Sequence, residues 1–329
     1  MTDTITEDLA EMKKKLSEYV DKGRVVGFHE VRKEPVIAVK PDKSKIKPLR
    51  KMKSCDVHFM AVDCSTRTLK RANNWGIYIF RTAYALVKGR DVQWDYKERI
   101  YTVVGDAYVR RRILQDVRLN LESEIALNLV RKAGESDYLL LDGASYFGGE
   151  RKFWVELYEK CKEEGVKLLA ISKQSPMLHD EKGRDFVTAT YMLSPSYPLW
   201  VYYPIKPANI HEHQYGNVSL VKLSGESLRI FRCDIMEYLS NCEITELLSP
   251  LTFTSEDPRC LGYPVTLWLA HDFSAPSDSK LLHYHDQVEE MLAGDGLLDV
   301  LRMEELSCNF PDELHGVKHP FEWERIDRV

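Results

Sequence analysis

Apolar positions along this chain come first in short dense runs and then in a wider, helical spacing. Phe59 to Val62 is almost wholly apolar, too short for a helix, and predicts a strand buried on both faces and ending on Asp63. WGIYIFRTAYALV, from Trp75 to Val87, and RIYTVVG, from Arg99 to Gly105, are rich in aromatic and β-branched residues and predict two more strands in an antiparallel meander. From about Tyr108 to Arg131 the period changes to that of a helix, with Ile113, Leu114, Val117, Leu121, Ile125 and Leu129 on its apolar face. YLLLDG predicts a fourth strand ending on Asp142, with Gly143 at the turn. Phe153 to Cys161 reads as an amphipathic helix, and KLLAISK, from Lys167 to Lys173, as a fifth strand. A helix between two such strands implies a right-handed parallel crossover.

Further on, residues 199 to 205, 218 to 223 and 228 to 234 read as strands, followed by a mixed helix from Met236 to Leu248. Pro264 stands where another helix can begin, with His271 near its end. At the other end of the chain, Thr4 and Glu7 form a capping box for a helix with Leu9, Met12, Leu16 and Tyr19 on one face, stopped by Gly23. Residues 40 to 53 carry Lys40, Lys43, Lys45, Lys47, Arg50, Lys51 and Lys53 against Asp42 alone. This divides the chain into an N-terminal helix with a basic linker, residues 1 to 54, suited to dimer or partner docking, and a main domain, residues 55 to 329.

Composition narrows the class. With 329 residues and 44% hydrophobic content there is material for a sizeable core, and no apolar run is long enough to span a bilayer. The N-terminus lacks a signal-peptide core, so a cytoplasmic protein without membrane attachment is expected. Seven cysteines without a CxxC pair argue against a disulfide framework and against a zinc ribbon. A net charge of -5 gives no global attraction to nucleic acid, so any such binding must come from local basic patches. No GxSxG elbow, Walker A loop or GxGxxG fingerprint is present.

The element order is three strands, helix, strand, helix, strand. It resembles the α/β ribonuclease H-like fold, a mixed five-stranded sheet with three antiparallel strands and then a parallel crossover, here with additional strands and helices. That fold gathers acids from strand one, the first helix and strand four, and Asp63, a helix glutamate and Asp142 stand at those places. Glu122 and Glu124 are two positions apart and cannot both face the same way; Glu122, flanking the Leu121 and Ile125 face, is the first choice and Glu124 the second. Converging carboxylates suit the hard divalent ions Mg²⁺ and Mn²⁺. Two such ions about 3.5–4 Å apart activate water and stabilise a leaving oxygen in phosphodiester cleavage. His271 can ligate metal, transfer a proton or contact phosphate, and Lys173 can neutralise phosphate charge. Each has a plainer alternative: a strand-end cap, a solvated glutamate, a helix-end histidine, a surface lysine. Arg110, Arg111 and Arg112 fit backbone contacts to nucleic acid or a solvated face equally well.

The ordered motifs go further. AVDCS with Thr66 and Arg67, RLNLESEIAL, LLLDGASY, AISKQS, VSLVKL followed by IFRCD, and GYPVTLWLAH resemble the NurA nucleases of archaea and some bacteria, over about residues 58 to 285. The resemblance implies a Mn²⁺-dependent DNA nuclease, with Mg²⁺ as the alternative ion. It implies a 5′-to-3′ exonuclease on single- and double-stranded DNA and a single-strand endonuclease. It also implies a homodimer working with the HerA hexameric helicase-translocase, an ATPase, in resecting DNA double-strand breaks. By position it assigns Asp63, Glu122, Asp142 and His271 to the metal and Lys173 to the family's SK motif, and leaves a mid-chain tyrosine between Tyr202 and Tyr203. Cys64 departs from the glycine usual after the first aspartate, and its Cβ narrows the backbone options. That departure favours a rival reading, a catalytically silent dimeric subunit that docks the translocase and guides DNA. A third reading is a ribonuclease H-like domain acting on RNA or DNA junctions.

Overall fold

The structure, a computed structural model, describes residues 37–173, 177–193, 195–294 and 298–314. In chain order the main elements are β1 (Ile46–Pro48), β2 (Phe59–Arg71), β3 (Trp75–Lys88), β4 (Asp91–Val104), α1 (Ala107–Val130), β5 (Tyr138–Asp142), α2 (Phe153–Glu164), β6 (Lys167–Ser172), α3 (Phe186–Met192), β7 (Trp200–Lys206), β8 (Gly216–Lys222), β9 (Phe231–Met236), α4 (Val265–Ser274), α5 (Asp278–Gly294) and α6 (Leu298–Leu314). The helix expected over residues 4 to 23 lies outside the described residues. The chain forms two compact units. One comprises Asp56–Leu140, Glu150–Lys167 and the chain from Thr266 onward; the other comprises the chain up to Cys55, Leu141–Gly149 and Leu168–Val265.

In the first unit the strands lie in the order β5-β2-β3-β4. β2, β3 and β4 are antiparallel, and β5 runs parallel to β2, so the sheet is mixed. Gly89, with φ of 60°, supplies the left-handed position in the two-residue turn between Lys88 and Asp91. Facing pairs define the two sides. Asp63 lies opposite Ala83, and Ala83 opposite Tyr96, so these three share a face. Cys64 lies on the other side, in a core cluster with Tyr78, Phe80, Val103 and Leu114 of α1.

Leu69, Ala72, Trp75, Ile77 and Ile79 pack with Leu281 of α5, and Tyr284, Val288, Leu292 and Leu301 close over them. Three polar contacts tether the same helices: Lys70 Nζ donates to Glu289 Oε1 at 2.8 Å and Glu305 Oε2 at 3.0 Å, and Trp75 Nε1 donates to Glu304 Oε2 at 2.8 Å. The hydrogen bond from Lys70 holds the Glu289 carboxyl below its ordinary value, against the opposing effect of burial. A depressed carboxyl stabilises the fold above its unfolded-state value and loses that contribution as pH falls through its folded value. Lys70→Ala is therefore expected to cost about 1–3 kcal/mol at neutral pH, because it removes the short bonds to two partly covered glutamates and leaves Glu289 only longer contacts such as that with Arg302 at 3.6 Å. In thermal unfolding, the gap between wild type and variant should narrow as pH falls below the ordinary glutamate range.

The second unit carries an antiparallel sheet in the order β1-β7-β8-β9-β6. β8 is buried along its whole length, as the central strand should be. Its core joins Val218 and Leu220 to Ile37, Leu178, Phe186, Trp200, Tyr202 and Ile205. Part of the basic stretch 40 to 53 belongs to this sheet. Ile46–Pro48 is an edge strand on β7, a place that tolerates proline, and Lys51 pairs with Glu256 at 2.9 Å.

β6 starts beside the start of β5, where Lys167 N donates to Asp137 O at 2.8 Å. Past the end of β5, Gly143 N donates to Ile171 O at 3.2 Å. The two strands therefore run parallel with α2 between them, which completes the meander and crossover of a ribonuclease H-like α/β core. Several expectations change. β2 continues past Asp63 to Arg71, so Asp63 is within a strand and not at its end. β4 begins at Asp91, eight residues ahead of the expected Arg99, because its first half is an exposed edge where charged residues hide the strand signal. The mixed helix from 236 to 248 is a 3-10 turn at Glu237–Leu239 and a short helix at Ile244–Leu248, with another at Leu251–Thr254 after Pro250. Arg110 is buried, donating to the carbonyls of Asn73 at 2.6 Å and Gly105 at 3.0 Å, and so caps the sheet edge instead of meeting solvent. Among the described residues no helix is long and apolar enough to cross a membrane.

Candidate active site

β5 pairs with β2 only from Phe59 to Ala61. Just beyond that stretch, the Cys64 N–H donates to two carboxylates, Asp63 Oδ1 at 2.8 Å and Glu122 Oε1 at 3.1 Å. The other oxygen of Asp63 meets His271 Nδ1, from α4, at 2.7 Å. Asp63 and Glu122 are buried, 4% and 5% exposed, whereas the His271 side chain is half exposed. Three elements far apart in sequence thus bring two acids and an imidazole together within the first unit. Two buried carboxylates this close are costly without a counter-charge. Arg118, one helical turn before Glu122, supplies it: its Nε donates to Glu122 Oε1 at 2.9 Å and its Nη2 lies 3.9 Å from Asp63 Oδ1. Burial works to lower the Arg118 pKa, but Glu122 and then Asp63 hold it above its ordinary value. Glu124 turns the other way, exposed, with one oxygen 3.7 Å from Lys97.

Cys64 occupies an ordinary strand position. Among the described residues the only non-glycine with positive φ is His213, so nothing at Cys64 requires glycine. Its thiol packs against Thr82, whose hydroxyl donates to it at 3.1 Å, and burial followed by the nearby Glu122 charge pushes its pKa up. A buried neutral thiol of this kind is a packing group and not a nucleophile.

Asp142 and Lys173 belong to the second unit, where Lys173 Nζ lies 2.9 Å from Asp142 Oδ2 and 5.8 Å from the Tyr263 ring centroid. The loop after Asp142 is pinned at Ser145, whose N–H and hydroxyl donate to Asp234 Oδ2 at 2.9 and 2.8 Å. Asp234, fully buried, in turn accepts two hydrogen bonds from buried Arg232, both at 2.8 Å. Ser145 Oγ in turn accepts from Gln214 Nε2 at 2.6 Å and from Gly216 N at 3.0 Å. A side chain at Gly216 would put its Cβ 2.8 Å from Ser145 Oγ, so this close approach needs glycine.

Both tyrosine candidates have hydrogen-bond partners of their own. The Tyr202 hydroxyl accepts from Asp42 N at 2.9 Å in the core, and the Tyr203 hydroxyl is bonded to Ser240. The aromatic ring near Lys173 is Tyr263, in the GYPV segment, which sequence reasoning passed over. Arg118 was likewise passed over, although its i,i+4 spacing to Glu122 was a usable signal.

Among the described residues no group of three or more histidine, cysteine, aspartate and glutamate side chains is arranged to hold a metal ion. The donor chemistry of Asp63, Glu122 and His271 nevertheless fits a hard or borderline divalent ion, with carboxylate oxygens and one imidazole. Arg118 is the cation that these carboxylates face.

Residues 57–177 match the family model of the NurA domain. No curated protein matches the chain by sequence. Among solved structures, the NurA nuclease from Sulfolobus solfataricus superposes with a TM-score of 0.62 at 15% identity, covering 90% of this chain and 98% of that one. A structure of NurA with manganese gives a TM-score of 0.55 at 12% identity, covering 88% of this chain and 98% of that one. A further NurA structure gives 0.51 at 11% identity, covering 89% and 96%. At these identities the likeness establishes the fold, a match over nearly the full length of each relative.

Proposed function

We propose that this chain, whose residues 57–177 match the family model of the NurA domain, is a metal-dependent deoxyribonuclease. The observation that carries the reading is the meeting of Asp63 and Glu122 at one backbone N–H, with His271 on the remaining oxygen of Asp63. In this reading Asp63, Glu122 and His271 hold Mn²⁺, with Mg²⁺ as the alternative, and Asp142 is a further ligand. The bound ion supplies Lewis-acid activation of water and charge stabilisation on the phosphodiester. Asp63 fixes the His271 ring through Nδ1, which leaves Nε2 as the atom able to ligate or to pass a proton. Lys173, held by Asp142, balances phosphate charge.

The finer reading is a homodimeric 5′-to-3′ exonuclease on single- and double-stranded DNA, with single-strand endonuclease activity. It would act with a HerA-type hexameric translocase in resecting DNA ends. The ordinary strand conformation at Cys64 supports this reading over that of a silent subunit, which the cysteine favoured. The test is a panel of 5′- and 3′-labelled single strands, duplexes and RNA, incubated with the purified protein in Mn²⁺, Mg²⁺ or a chelator, with and without the translocase. Degradation of DNA from its 5′ ends in Mn²⁺, lost on chelation, is the expected result. A protein that leaves every DNA substrate intact in Mn²⁺, alone and with the translocase, is not this nuclease.

A further inference from the structure

Arg118 has no part in the chemistry described so far, yet it is placed where that chemistry would occur. Its side chain is four-fifths covered, and its guanidinium bridges the two acids, at 2.9 Å from Glu122 Oε1 and 3.9 Å from Asp63 Oδ1. α1 presents it by simple helical spacing, one turn ahead of Glu122. It differs from Arg110 on the same helix, which is engaged by backbone carbonyls and far in sequence from any acid of the site.

A guanidinium has five donors, no lone pair to offer a metal, and a charge that does not titrate away in proteins. It cannot be a neutral bystander to a divalent ion at the same carboxylates. Both cations draw on the same oxygens, and they repel each other. We propose that Arg118 is a resident counter-ion that holds Asp63 and Glu122 together in the metal-free protein and yields them to the divalent ion. One side chain thus sets a threshold for metal loading. It stabilises the metal-free fold by neutralising two buried acids, and it weakens metal binding by the contacts that must be given up. This rests on the metal-binding reading of Asp63 and Glu122.

The test uses the full-length protein without nucleic acid, so that no catalytic readout is involved. Wild type, Arg118→Gln and Arg118→Lys are compared by thermal unfolding without metal and by calorimetric titration with MnCl₂. Arg118→Gln is expected to unfold at a lower temperature without metal, yet to bind Mn²⁺ about tenfold more tightly, which corresponds to about 1.4 kcal/mol. Arg118→Lys keeps the charge but loses the fork and should fall between the two. A residue with a purely structural role would give the opposite sign, since its loss would disorder the acids and weaken metal binding.

Wild-type or weaker Mn²⁺ affinity in Arg118→Gln overturns the proposal. Should that variant not fold without metal, Arg118→Lys decides in the same way, with tighter binding expected and unchanged or weaker binding overturning it. If neither wild type nor variants bind Mn²⁺, the metal reading of the site fails and this inference with it. Equal affinity in all three proteins overturns the role of Arg118 alone.

Discussion

Replacing Asp63 by asparagine should lower metal-dependent DNA cleavage by about three orders of magnitude or more, the loss of about 4 kcal/mol of transition-state stabilisation. The change is nearly isosteric. The asparagine carbonyl can still accept from the Cys64 N–H, as Asp63 Oδ1 does at 2.8 Å, so the strand and its partners are kept. What is lost is the charge: half of the anionic pair that Arg118 now balances, and the acceptor that holds His271 Nδ1 at 2.7 Å. Circular dichroism and the unfolding midpoint should stay near wild type while initial rates on a labelled single strand collapse. A variant that folds and cleaves at nearly the wild-type rate would remove Asp63 from the chemistry. Asp142→Asn is its counterpart in the second unit and should show the same separation of rate from stability, since it keeps the side-chain shape beside Lys173.

The largest stability effect is expected at Asp234. Truncation to alanine leaves Arg232, 2% exposed, with a buried charge and none of the two hydrogen bonds that Asp234 now accepts from it. It also removes the acceptor of both the N–H and the hydroxyl of Ser145. Breaking a buried pair from one side costs about 3–5 kcal/mol, far more than the net worth of the pair itself. Urea unfolding of Asp234→Ala should show a loss of this size. The double variant Arg232→Met with Asp234→Leu should recover much of it, because neither charge is then left alone. Ser145 stands three residues after Asp142, so this network also fixes the loop from which Asp142 projects. The alanine variant should therefore lose cleavage activity even at temperatures where it remains folded, while the urea midpoint reports stability separately.

What the chain disclosed on its own follows from where the information lies. β3 and the central β8 carry aromatic and β-branched residues because both faces are buried, and such runs are legible without any partner. The start of β4 was not legible, because Asp91 to Lys97 forms an exposed edge whose composition resembles a loop. The full length of β2 was hidden for a different reason. After Asp63 it carries the partly buried Ser65 and the buried Arg67 and Lys70, polar residues whose place in a strand is set by contacts distant in sequence, Ser274 accepting from Ser65, and Glu289 and Glu305 meeting Lys70. Spacing alone left Glu122 and Glu124 unresolved; the geometry turns Glu122 onto the Cys64 N–H and leaves Glu124 in solvent beside Lys97. Arg118 and Tyr263 acquire meaning only through contacts with residues distant in sequence, which periodicity cannot express. The helical stripe of α5, Leu281, Tyr284, Val288 and Leu292, went unread, and its purpose is visible only against Leu69 and Ile77.

The central claim is that the acids meeting at the Cys64 N–H form a divalent-metal site. Anomalous diffraction at the manganese edge, from crystals of the full chain soaked in MnCl₂, tests it most directly. The account predicts a peak within coordination distance of Asp63 and Glu122, accompanied by loss of the 2.9 Å contact between Arg118 and Glu122. Crystals that bind manganese elsewhere or not at all, with Arg118 still paired to both acids, would contradict it.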